Sequence, residues 1–83
     1  MIVEKVFYGT VGNTYLNSFE LANVTPLKVK RQGLGYDIIL TGSPVGRQVL
    51  YTAWEGKLTF VNILEAGATD ATPSEPIYVL YKT

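Results

Sequence analysis

Pro76-Ile77-Tyr78-Val79-Leu80-Tyr81-Lys82 and Leu27-Lys28-Val29-Lys30-Arg31 decide the fold. The second stretch alternates apolar and basic residues, so Leu27 and Val29 share one face of a strand while Lys28 and Lys30 share the other. The first is apolar on both faces, which is the pattern of a central or doubly covered strand. The same period of two runs through Ile2 to Tyr8, Tyr15 to Leu21, Tyr36 to Leu40, Arg47 to Thr52 and Gly56 to Val61, giving seven candidate strands. Asn17 to Asn23 has some helical pattern, but it is short, and its Asn, Ser and Phe argue against a helix.

Turn residues fill the gaps. Gly9-Thr10-Val11-Gly12-Asn13 separates the first two strands, and Asn23-Val24-Thr25-Pro26 precedes the third. Gly33-Leu34-Gly35 is a tight connection, and Gly42-Ser43-Pro44-Val45-Gly46 a longer one; both sets of glycines are expected to shape hairpins. Trp54-Glu55-Gly56 predicts a short hairpin turn with Gly56 at positive φ. Glu65 to Glu75 is expected to be a long flexible loop of small and polar residues with no apolar anchor. Strands at this spacing predict an all-β fold, a small antiparallel β-sandwich or partly open barrel of about seven strands, in one domain spanning residues 1–83.

Composition narrows the function. The 83 residues carry seven basic and seven acidic side chains, and neither Cys nor His. Without Cys there is no disulfide scaffold. Structural zinc nearly always needs Cys or His, so that class is not expected, and histidine-based acid–base or nucleophilic chemistry has no residue to use. Asp37 has no acidic neighbour for paired-carboxylate work. The glycine-containing turns lack the Lys-Ser/Thr of a phosphate loop. No catalytic, cofactor-binding or metal-binding residue is assigned, and the chain is read as a non-enzyme. Asn62, Glu65, Thr69, Asp70, Thr72 and Glu75 supply oxygens for calcium but not the dense spacing of a calcium loop, so a solvated loop is expected. Lys28, Lys30 and Arg31, with Tyr15 or Tyr36 stacking bases, would suit single-stranded nucleic acid; zero net charge favours a solvated or edge-protecting face, and no nucleic-acid partner is expected.

A domain this short buries only roughly 60–65% of the surface its unfolded chain exposes. Here 47% of residues are hydrophobic, 17% are charged and mean hydropathy is +0.15. Apolar surface is expected in excess of what one core can hide, and with it assembly, including a homo-oligomer. Tyr51, Trp54, Tyr78 and Tyr81 are the candidate aromatics for a core, an interface or a ligand platform. Residues 1–10 are a candidate docking strand hinged at Gly9–Asn13, removal of which should abolish docking but leave a folded domain. MIVEKVFYGT has no basic region leading into a long apolar stretch, and no apolar run approaches the roughly 20 residues of a membrane span. Neither a signal peptide nor a membrane partner is expected.

Leu27-Lys28-Val29-Lys30-Arg31-Gln32-Gly33, then Gly35-Tyr36-Asp37, Gly56-Lys57-Leu58-Thr59-Phe60 and Pro76-Ile77-Tyr78-Val79-Leu80-Tyr81, follow an order that resembles a small β-domain of tailed-bacteriophage virion proteins, of the fibre, appendage or decoration type. The resemblance covers about residues 21–82. It implies a structural virion protein at the head (decoration or head fibre), neck or tail, located in the virion and partnered by capsid, neck, fibre or tail subunits. It carries no catalytic residues. The competing expectation is a carbohydrate-binding module for a host surface glycan, built on Trp54 and neighbouring tyrosines.

Overall fold

The computed structural model describes residues 1–67 and 73–83. Seven strands form one sheet: β1 (Ile2–Phe7), β2 (Tyr15–Asn17), β3 (Thr25–Arg31), β4 (Leu34–Ile39), β5 (Gln48–Thr52), β6 (Lys57–Thr59) and β7 (Ile77–Lys82). Their order across the sheet is β1-β7-β3-β4-β5-β6-β2, and the sheet curls into a half-barrel. Of the two all-β forms expected from sequence, this is the partly open barrel. Short 3-10 turns occupy Phe19–Leu21 and Ala53–Glu55.

The concave side holds the core. Val29, Val49, Leu58, Leu64, Ile77 and Val79 are fully buried, packed with Phe7, Leu16, Leu21 and Phe60. β7 is central, as its sequence predicted: it pairs with β1 from Ile2↔Lys82 to Phe7↔Ile77 and with β3 from Thr25↔Lys82 to Arg31↔Ile77. Its inward residues Ile77, Val79 and Tyr81 are buried, whereas Tyr78 and Leu80 on the convex side stay half-buried. The total exposed surface, 5048 Å², is close to the roughly 4,900 Å² usual for a folded chain of this mass. The molecule is therefore packed normally, and its unusual feature is what that surface contains. Phe19, Leu40, Val45 and Trp54 are each more than two-thirds exposed.

Several local expectations are corrected. The sheet is mixed, because β4 and β5 run parallel, Asp37↔Gln48 to Ile39↔Leu50. A parallel pair usually needs a long crossover. Here the paired stretch is only three residues, so the eight residues 40–47 suffice to carry the chain back. Gly42 (φ 85°) and Gly46 (φ 58°) thus shape this return and not a hairpin; Gln32 (φ 53°) and Gly33 (φ 75°) do make the two-residue β3–β4 hairpin. Tyr15 to Leu21 is not one strand: after Asn17 it turns, with the Ser18 hydroxyl accepting the Glu20 N–H at 3.2 Å, so the stretch set aside as non-helical holds a 3-10 turn. Leu27 does not share the buried face of Val29. The β3–β7 register skips it, and this bulge leaves it 45% exposed.

The docking-strand expectation for residues 1–10 also changes. Ile2–Phe7 is built into the sheet and Phe7 into the core, so deleting it removes structure the fold needs. Gly9–Asn13 is no loose hinge: Gly9 donates its N–H to Ser74 Oγ (2.9 Å), Gly12 donates to the Leu64 carbonyl (2.9 Å), and the Asn13 carbonyl accepts from Leu64 N–H (2.7 Å). On the inner side of β1, Lys5 pairs with Glu20 beyond β2, tying the two edges of the half-barrel together. An inward-facing charge of this kind discourages further strand pairing.

Candidate functional site

The site begins at a tight corner. β5 ends in the turn Ala53–Glu55, closed by Gly56 at φ 61°. Gly56 meets its neighbour so closely that a Cβ there would lie 2.1 Å from the Ser18 carbonyl oxygen and 2.8 Å from Ala22 N. Ser18 N–H donates to the Gly56 carbonyl (3.0 Å) and Asn23 N–H to the Ala53 carbonyl (2.9 Å), locking the two 3-10 turns together. Trp54 stands on this locked corner, 76% exposed. The backbone beneath this solvated indole is already fixed, so covering the indole orders little besides the side chain itself.

Trp54 borders a groove of about 720 Å³. Val24, Thr25 and Pro26 enter it from the start of β3; Ile38, Leu40, Thr41 and Gly42 from the end of β4; Leu50, Tyr51, Thr52 and Ala53 from β5 and its turn. Among the described residues, no Asp, Glu, Lys or Arg lines it. The groove exists because β3 and β4 part company: their register ends at Val29↔Tyr36, after which β4 pairs with β5 while β3 bends at the Leu27 bulge. Pro26, with no N–H, cannot restore the ladder.

The four aromatics singled out from sequence are separated into roles. Tyr51 is buried, and its hydroxyl lies 2.6 Å from the Leu21 carbonyl oxygen and accepts the Val24 N–H at 3.0 Å, fixing the chain that lines the groove. Tyr81 is also core, packed on Phe7 with ring centroids 6.2 Å apart. Tyr78 lies on the convex face, half-buried, with its hydroxyl donating to the Glu4 carboxylate. That hydrogen bond, aided by some burial and by the Glu4 charge, raises the phenol above its ordinary value. Of the four, Tyr51 and Trp54 line the groove, and of those two only Trp54 is exposed. Leu40, Ile38 and Pro26 were not singled out; in the sequence Leu40 reads as the last residue of a strand, and only the structure, where β4 ends at Ile39, places it beyond the strand.

The other end of β3 is built oppositely. Arg31 is not on the basic face with Lys28 and Lys30; it points inward, 4% exposed. Its Nε and Nη2 bind the two Glu75 carboxylate oxygens (2.9 and 3.1 Å), Nη1 donates to the Asn62 carbonyl (3.0 Å), Nη2 also donates to Ile63 O, and the guanidinium lies 5.0 Å from the Phe60 ring centroid. Glu75 further accepts the Glu65 N–H at 2.8 Å. Burial pushes the Glu75 carboxyl up, but the Arg31 and Glu65 hydrogen bonds and the Arg31 charge together outweigh it and hold the group below its ordinary value. The Glu65–Glu75 loop is therefore anchored at its base, by polar residues, and Glu75 is committed to Arg31 instead of to solvent or calcium. Thr69, Asp70 and Thr72, and the flexibility expected of the loop's middle, lie outside the described residues. No protein-family model, curated protein or solved structure matches the chain.

Proposed function

We propose that this chain is a non-catalytic structural component of a tailed-phage virion, a head-decoration, head-fibre, neck or tail protein that acts by binding other virion proteins and further copies of itself. The virion assignment rests on the sequence resemblance over residues 21–82. The observation that carries assembly as the mechanism is the uncharged groove beside Trp54 and Leu40. Exposed aromatic and aliphatic side chains around a desolvated centre, with charges kept away, make a typical docking patch.

Mass spectrometry of particles purified from the genome that encodes the chain tests the assignment: the protein is expected among the particle proteins, and its absence from intact particles overturns the virion reading. Trp54→Ala is then expected to reduce incorporation by about 30-fold, the loss of one hot-spot anchor; normal incorporation would remove the groove from the docking surface. Light scattering of the purified chain reports self-association. The glycan-binding alternative draws on Trp54 together with the hydroxyls of Thr25, Thr41 and Thr52. Saturable quenching of Trp54 by host surface polysaccharide, with oligomeric state unchanged, would favour it.

A further inference from the structure

We infer that the groove takes an extended, uncharged segment of a partner protein, which adds as a strand between the parted edges of β3 and β4. The inference rests on the docking reading above and specifies what docks. An apolar hollow by itself does not select an occupant; the backbone on its two sides does. Asp37 donates its N–H to the Arg47 carbonyl at 2.8 Å, toward β5. Successive backbone groups of a strand point to opposite edges, so the N–H and C=O of Ile38 point toward β3. Yet the β3–β4 register has already ended at Val29↔Tyr36. On the facing side, β3 runs on from Lys28 to Thr25, paired with β7 alone, and the bulged Leu27 has no partner in either register. Two neighbouring strands thus present open edges to the same space, and an extended backbone is the ligand whose own hydrogen-bonding groups match both. The side chains on offer fix its chemistry. Ile38, Leu40, Pro26 and Trp54 suit alternate apolar residues, and none of the described lining residues supplies a counter-charge for a charge placed among them.

Amide hydrogen exchange of the free protein is the first test. The Ile38 amide is expected to exchange at least about tenfold faster than that of Asp37, its neighbour in the same strand. Equal protection would mean that the edge is closed and would overturn the inference. The second test titrates the protein with blocked eight-residue peptides alternating Thr with Val, Leu or Tyr, read by Trp54, the only tryptophan, and by exchange at Ile38. Saturable binding with slowed Ile38 exchange is expected, weakened about tenfold by N-methylation of alternate peptide residues. N-methylated peptides that bind as tightly, or no binding across the set, would overturn strand addition. Failure here with Trp54→Ala still excluded from particles would leave the docking reading standing; normal incorporation of Trp54→Ala would remove both.

Discussion

The two ends of β3 solve the same problem in opposite ways. At Arg31 the chain brings a charge inside and surrounds it with a carboxylate, two carbonyl oxygens and an aromatic ring, so the end is complete within the molecule. At Pro26 the chain leaves apolar side chains and unpaired strand edges around an open groove. The contrast separates a polar end that the molecule closes by itself from an open apolar end, which carries the docking proposed above.

Substitutions sharpen this contrast, and the largest effect belongs to the closed end. Arg31→Met leaves Glu75 buried without its counter-charge and is expected to cost about 3–5 kcal/mol, a large share of a small domain's stability. Chemical denaturation measures it, and Arg31→Met with Glu75→Leu should recover much of the loss, since the second change removes the stranded carboxylate. A single variant as stable as the parent would mean that the clamp contributes nothing. Tyr51→Phe, which touches both the core and the groove, should cost about 1–3 kcal/mol by leaving the Leu21 carbonyl and Val24 N–H without their partner. Its denaturation midpoint should fall accordingly, and faster amide exchange at Val24 should accompany it.

Acid gives a smaller, graded effect. Because folding lowers the Glu75 pKa, its contribution is fully present above the ordinary value of 4.5 and is lost as pH falls through the lower folded value. Stability followed from pH 7 downward should therefore decline below about 4.5, and Glu75→Gln should flatten that decline. A parent protein whose stability rises on acidification would contradict the sign. The smallest effect belongs to the open end: Trp54→Ala should change stability by no more than about 0.5 kcal/mol, since the indole has little packing to lose. A large destabilisation would show that Trp54 serves the fold and would dissolve the contrast.

Much of the sheet was legible because alternation survives wherever strands are regular. Ile77–Lys82, Gln48–Thr52 and Ile2–Phe7 lie within a residue of the stretches read from sequence. Legibility failed where a single residue changed the parity. The bulge turned Leu27 outward, and no local pattern announces a bulge. Arg31 was misplaced because its charge was weighed above its position: it lies two residues from Val29 and so shares the inward face, and its partner Glu75 is 44 residues away. The parallel β4–β5 pairing was hidden for a similar reason, since a glycine-rich return of eight residues reads like a hairpin. Of the groove, Trp54 was visible as an aromatic beside a turn, with exposure and packing over the core equally open, but the parting of β3 and β4 that makes the hollow is a tertiary event.

The position of β7 has a consequence in time. β7, the last of these seven strands in chain order, is wedged between β1 and β3, so Ile2↔Lys82 joins residues 80 positions apart. Until Ile77–Lys82 leaves the ribosome, half of the sheet has no middle, and the early-made strands must wait with their ladders unfilled. Such long-range closure predicts slow folding, on the scale of milliseconds to seconds, during which these strand edges stay exposed.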